Sequence, residues 1–340
     1  MSLDLNTTWF ILVGVLLSGY AILDGFDLGV GALHLFTKGD HDRRIMLNSI
    51  GPVWDGNEVW LVTGGGALFA AFPDVYATSF SGFYLAFILL LVALIFRAVA
   101  IEFRSKRPGE RWRKIWDRSF SISSIVSSLL IGVALGNIIL GIPLTAEGEY
   151  MGGLLGLLRP YPLFVGLTTV ALFAMHGAIY VVMKTEGELQ AQVRRWIPRT
   201  IGLFVAGYVI TPVLTLVFIP HMTTTLRDHP ILLVVPVLNA LAIANIPREI
   251  HKGRDFRAFL SSCAAMLLLM ALFGIGMYPD MIYSSPLPEN SLTIYNAASS
   301  AKTHQIMLII AIIGMPIVVA YTISIYWIFR GKVKLDAYSY

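Results

Sequence analysis

The sequence predicts an all-α integral membrane protein of about nine transmembrane helices, and three observations carry that prediction. Of its 340 residues 56% are hydrophobic and only 14% charged, where a soluble domain carries about 25% charged residues. The mean hydropathy is +0.72. The apolar residues fall into nine runs, each near the roughly 20 residues that a membrane helix needs. The single cysteine, Cys263, lies in one of these runs, so there is no disulfide framework and no Cys-based metal or c-type haem site. The first residues, Met-Ser-Leu-Asp-Leu-Asn, carry no basic stretch, and no cleaved signal peptide is read there.

The nine expected spans are approximately 8–36, 50–72, 78–100, 119–143, 160–184, 198–220, 230–248, 257–279 and 303–330, in a single polytopic membrane domain covering 1–340. Nine spans put the termini on opposite sides. Loops on one side hold 22 of the 25 Lys and Arg residues, while the other side has only Arg159, Arg227 and Lys302. By the positive-inside rule the N-terminus is outside and the C-terminus in the cytoplasm. The net charge of +4 is therefore a membrane signature and does not point to nucleic acid. The longest interruptions, about 101–118 inside and 280–302 outside, are too short to bury a core of their own. The basic inner one is expected to lie against anionic headgroups. The outer one, rich in Pro, Ser and Asn, reads as an ordered loop or partner contact.

The first span is glycine-rich, and Gly25 with Gly29 forms a small-xxx-small pair that lets helices approach closely. Gly64, Gly65 and Gly66 in the second span permit the same. Arg97, Glu102 and Arg104 at the inner end of the third span read as an interfacial ion-pair group. Trp and Tyr near span ends, among them Trp9, Trp112, Trp196, Tyr326 and Trp327, read as an aromatic belt.

The informative residues are four acids inside apolar runs. Asp24 and Asp27 sit in the first span, Asp55 and Glu58 in the second beside Trp54, Asn57 and Trp60. A carboxylate at the centre of a membrane helix costs roughly 2.5–3.5 kcal/mol on the insertion scale. Counting about 1.5 Å per residue from each span's start puts all four in the cytoplasmic half, on helices joined by a short loop. They must be protonated, paired or lining water. One reading is a hydrogen-bonded cluster, with Arg43 or Arg44 as counter-charge. The sharper one is a proton intake from the cytoplasm.

No other chemistry is evident. A haem needs axial His or Met ligands at matching depth, and of seven histidines only His176 lies well inside a span. No haem ligand pair and no metal site is expected on this chain. A proton-coupled transporter is the alternative from another class. Transporters commonly show internal repeats and broken helices meeting at the midplane, whereas these acids cluster in one half of the first two spans with no second copy.

Several segments carry a resemblance: Asp24-Gly-Phe-Asp-Leu-Gly-Val-Gly31, Arg43 through Trp60 with its Trp54-Asp-Gly-Asn-Glu-Val-Trp block, Gly64 through Pro73, Phe96 through Lys106, Lys184 through Leu189, and Ser291 through Ser300. In order along the whole chain, they resemble subunit II of the cytochrome bd-type quinol oxidases of bacteria and archaea. The resemblance implies nine helices, mostly two four-helix bundles plus a peripheral helix, in the cytoplasmic (inner) membrane. It implies pairing with a haem-bearing subunit I that carries two b-type haems and haem d, and in some members small single-helix subunits and a bound quinone. The complex oxidises ubiquinol or menaquinol and reduces O2 to water without pumping, taking protons from the cytoplasm; this subunit is haem-free and not catalytic alone. Carried over by position, Asp24 and Asp55 would transfer protons, with Asp27 and Glu58 beside them, Glu58 standing where some members carry Gln. Trp54, Trp60 and Asn57 would make O2, quinone or subunit contacts.

Overall fold

The computed structural model describes residues 4–335 and 339. Its long helices alternate between two ends, here called the basic end and the far end. From the far end α1 (Leu5–His34) descends to the basic end, where α2 (Asp40–Ile50) turns the chain. Helix α3 (Trp54–Ala71) returns, α4 (Pro73–Gly82) lies at the far end, and α5 (Tyr84–Phe103) descends again. Then follow α6 (Glu110–Leu140), α7 (Pro160–Lys184), α8 (Gly187–Phe218), the one-turn α9 (Thr224–Asp228), α10 (Val234–His251), α11 (Asp255–Met277) and α12 (Ala301–Ile328). A two-stranded antiparallel ribbon, β1 (Asp280–Ile282) with β2 (Leu292–Thr293), orders the loop before α12.

Contacts at both ends establish this alternation. At the far end Trp9 Nε1 donates to the carbonyl of His304 at 3.0 Å, joining the starts of α1 and α12. There too Arg159 donates to Gly141 O at 2.7 Å, joining the end of α6 to the start of α7. At the basic end Arg194 and Asp255 pair at 2.7 Å across the starts of α8 and α11. The ends of α7 and α12 cap each other there. Lys184 Nζ donates to the carbonyls of Phe329 and Gly331, and Lys332 Nζ donates to those of Met183 and Thr185 at 2.8 Å. Carbonyls left over at a helix C-terminus need such donors.

Eight of these helices are long and apolar enough to cross a membrane. The expected span 50–72 corresponds to α3, whose 18 residues reach roughly 27 Å but open on Asp55, Asn57 and Glu58, which lowers its hydropathy. Three expected boundaries move. Residues 78–82 of the expected third span belong to α4, so that span starts at Tyr84. Helix α6 starts at Glu110 and α8 at Gly187, because charged, amphipathic first turns extend each helix beyond its apolar run. The Glu110–Lys114 pair, four residues apart at 2.6 Å, belongs to such a turn.

Helix α7 is the most enclosed of the long helices and packs against α1, α6 and α8. Its approach to α1 is close: a Cβ on Gly29 would stand 1.8 Å from the carbonyl oxygen of Phe173. Only glycine permits that crossing. The main core gathers in the basic half around Phe26, Met46, Ile101, Tyr180 and Phe204. A second core at the far end holds Trp9, Phe72, Phe83, Ile142 and Ile282. Of the glycine triplet on α3 only Gly64 meets a neighbour, Leu17; Gly65 and Gly66 open outward, beside the exposed Val59, Val62 and Phe69. Helix α12 buries only His304.

Candidate functional site

Three helices bring the intramembrane acids together near the basic end: α1 in its last third, α3 in its first turns, and α5 two turns before it stops. Asp24 and Asp27 are fully buried on α1. Between α1, α3 and α5 lies Arg97, also fully buried. Its Nη2 is 2.8 Å from Asp24 Oδ1 and donates to Glu58 Oε1. Glu58 is the exposed edge of the group, with 25% of its side chain accessible.

Arg97 thereby corrects the expectation of an interfacial group with Glu102 and Arg104. It lies six residues inside α5 and serves the acids of α1 and α3. Arg43 likewise pairs elsewhere, with Asp117 at 2.9 Å. In the sequence Arg97 stands close enough to a basic loop to be grouped with Glu102 and Arg104 rather than with the acids of the first two spans. The available signal was that it is a cation inside an apolar run, which needs an acid at matching depth.

Asp27 is held differently. Asn57 Nδ2 donates to Asp27 Oδ2 at 2.8 Å and to the carbonyl of Leu23 at 3.1 Å, while Tyr326 of α12 donates its hydroxyl to Asn57 Oδ1 at 2.9 Å. Asn57 is thus a bridge between α1, α3 and α12. Asp55, one turn earlier, is exposed and makes no ion pair among the described residues. As an acid in the first turn of α3 it sits favourably at the positive end of the helix dipole. Trp54 is buried in the main core. Trp60 packs over α1 so closely that a Cβ on Gly19 would be 2.3 Å from its ring.

Both oxygens of Asp24, Asp27 Oδ1, Arg97 Nε and Nη1, and the Tyr20 hydroxyl are buried without a hydrogen-bond partner among the described residues, the 2.8 Å approach of Arg97 to Asp24 Oδ1 being an ion pair. Buried polar atoms are nearly always satisfied by protein or water, so these six atoms leave hydrogen-bonding capacity unused. The charges do not balance either. Three carboxyls share one guanidinium, so two negative charges would be uncompensated were all three ionised.

His176 does not fit a haem ligand. Its Nδ1 is 2.7 Å from Ser262 Oγ and its Nε2 3.1 Å from the carbonyl of Ile22, with the ring stacked on Phe259. Both nitrogens are engaged.

A second charged network lies beyond this site, closer to the basic end. Asp117 of α6 accepts from Arg104 Nε at 2.6 Å and Arg43 Nη1 at 2.9 Å, and His34 Nε2 approaches it at 2.7 Å. Arg104 and Arg113 also donate to Asp40, at 2.8 and 2.9 Å. These bonds tie α1, α2, α6 and the end of α5 together.

Comparison with known proteins gives one consistent result. The family profile described as cytochrome bd terminal oxidase subunit II matches residues 5–329. The chain is 36% identical to cytochrome bd-I ubiquinol oxidase subunit 2 of Escherichia coli K12, covering 98% of this chain and 96% of that protein. It is 33% identical to cytochrome bd ubiquinol oxidase subunit 2 of Bacillus subtilis 168, covering 97% of each. Its fold matches a chain in the structure of bd oxidase from Geobacillus thermodenitrificans with a TM-score of 0.79, covering 96% of this chain and 98% of that one at 19% identity. The profile match, the near-complete coverage of both relatives and the fold agree: the chain belongs to the cytochrome bd terminal oxidase subunit II family.

Proposed function

We propose that this chain is the haem-free subunit of a quinol oxidase and supplies cytoplasmic protons to a haem-bearing subunit I. The observation that carries the reading is the Arg97 cluster: Asp24 and Glu58 on one buried guanidinium with Asp27 one turn away on α1, and six buried polar atoms that take no hydrogen bond among the described residues. Reduction of O2 to water consumes one proton for each electron. Water does not cross hydrocarbon freely, so a reaction centre within a membrane needs a line of ionisable groups and water reaching it. Glu58, partly exposed, is the mouth of that line; Arg97 balances one negative charge; Asp24 and Asp27 are the interior carriers. Asp55 stands outside the buried group, on the face of α3 that carries Val59, Val62 and Phe69. On this reading that face meets subunit I, and Asp55 completes the path at the subunit boundary. The basic end is then cytoplasmic and the N-terminus outside, with the chain in the cytoplasmic membrane.

The test is charge-neutral substitution in the assembled complex. Asp24→Asn and Asp55→Asn should each retain the haem spectrum of the complex while lowering quinol-driven O2 consumption about tenfold or more, the order of a lost proton-transfer group. If both variants assemble and turn over with the pH profile of the parent, the proton-supply reading is wrong. Optical spectra of this chain alone and with its partner are the companion measurement. Haem absorbance on the isolated chain would overturn the haem-free assignment.

A further inference from the structure

Asn57 can be oriented by chemistry alone. The carbonyl of Leu23 can only accept, so the amide atom facing it at 3.1 Å must be the NH2 group. The same NH2 gives its other hydrogen to Asp27 Oδ2, and the amide oxygen is left to accept from Tyr326. Asp27 Oδ2 is therefore committed as an acceptor. Its other oxygen, Oδ1, is buried and has no hydrogen-bond partner among the described residues. The two oxygens of one carboxyl have been given different tasks.

The origin of the last donor is the second observation. Helix α12 is otherwise a peripheral helix that buries only His304, at its first turn. Tyr326, near the opposite end, is half-buried, turns its hydroxyl to Asn57 and meets the ring of Phe26 edge-on at 6.5 Å. A hydroxyl donating to an amide oxygen polarises the amide and makes its N–H a stronger donor.

We propose that Tyr326 is a positioning residue for Asp27. Acting through Asn57, it holds Oδ2 as an acceptor and leaves Oδ1 as the oxygen that exchanges protons. This rests on the proton-supply reading above and adds that the seating of α12 sets the protonation equilibrium of Asp27. The other charged and titratable groups around Asp27 are Asp24 of its own helix, Arg97 of α5, Glu58 of α3, Tyr180 of α7 and Tyr326 itself. Of these only Tyr326 bonds Asn57 Oδ1 among the described bonds, so the amide is the hydrogen-bonded route from Tyr326 to Asp27.

Infrared difference spectroscopy on the assembled complex, titrated in pH, tests this. The Asp27 band is identified as the one that Asp27→Asn abolishes. Tyr326→Phe keeps the ring and removes the donor. It should shift the Asp27 equilibrium toward the protonated form by about 3- to 10-fold, the worth of one neutral hydrogen bond. A fluorotyrosine placed at position 326, a stronger donor of nearly the same shape, should move the band the opposite way. An anchoring role for Tyr326 alone would lower assembly without moving the band. A band unmoved in both variants overturns the proposal, whatever turnover does. A band that moves while Asp27→Asn leaves turnover and its pH profile intact upholds the positioning and removes Asp27 from the proton path.

Discussion

The Asp117 and Arg97 networks are built from the same residue types, and their difference lies in what is left over. Asp117 has both oxygens taken, by His34, Arg43 and Arg104, and that network leaves over a single buried atom, His34 Nδ1, among the described residues. Its neighbours continue into Asp40 and Arg113. Around Arg97 two guanidinium nitrogens, both oxygens of Asp24, one of Asp27 and the Tyr20 hydroxyl take no hydrogen bond among the described residues, and carboxyls outnumber cations. A satisfied network rigidifies what it joins. An unsatisfied one costs stability, so its persistence in a fold calls for a use. The first network fastens helix ends; on the reading proposed above, the second handles protons.

The strongest way to break this comparison is to remove Arg97. Arg97→Met leaves Asp24 and Glu58 without a counter-charge, and losing one partner of a buried ion pair costs roughly 3–5 kcal/mol. Little assembled complex is expected, read by detergent-stable yield and melting temperature. Adding Asp24→Asn and Glu58→Gln should restore assembly without restoring turnover. A stable, active Arg97→Met complex would show that the guanidinium does not organise the site.

A crossed pair of substitutions comes next. Asp117→Asn should lower the stability of the complex by about 2–3 kcal/mol, as charge-assisted bonds from Arg43 and Arg104 weaken. Turnover per assembled complex and its pH profile should stay as they were. Asp24→Asn should do the reverse: Glu58 still pairs Arg97, so the melting temperature falls less than in Asp117→Asn while turnover drops. If Asp117→Asn moves the pH profile as strongly as Asp24→Asn, the two networks are one path.

A purely steric change supplies the control. Gly29→Ala forces a methyl group against the Phe173 carbonyl, and overpacking of this kind costs about 1–3 kcal/mol. It should lower the melting temperature and leave the Asp24-dependent pH profile in place in whatever complex remains.

Much of this was legible in the sequence. Apolar run lengths and one-sided cations predict a helical membrane protein, and the matching depths of Asp24, Asp27, Asp55 and Glu58 predict one cluster, which the structure forms without Asp55. Arg97 is not part of that prediction, because hydropathy blurs a single cation at the edge of a basic loop into that loop. The separation of Asp55 from Glu58 escaped for a related reason. Three residues on a helix leave about 60° between side chains, enough at the rim of α3 for one to face Arg97 and the other to face outward. The bridge from Tyr326 to Asn57 joins residues 269 apart in sequence. No local pattern encodes such a pairing; only the docking of α12 on α3 creates it.

The smallest expected effect concerns an acid outside both networks. Asp280, at the start of β1, is partly buried, and burial raises its carboxyl above the ordinary 3.8. It makes no ion pair among the described residues. A folded-state value above the unfolded one means that ionisation opposes folding. The penalty is absent below pH 3.8, grows as pH rises through the shifted value, and is complete above it. Asp280→Asn should therefore raise the melting temperature slightly at neutral pH and leave it unchanged near the acid limit. The difference between the two pH values is the measurement. An Asp280→Asn variant that is destabilised at neutral pH would mean that the carboxylate is held by a favourable contact, and burial without a cation would not be the distinguishing condition. A modest gain would fit the rule drawn from the two networks: a buried carboxyl is tolerated when it is matched, costly when it is not, and retained at high cost only where its proton has work to do.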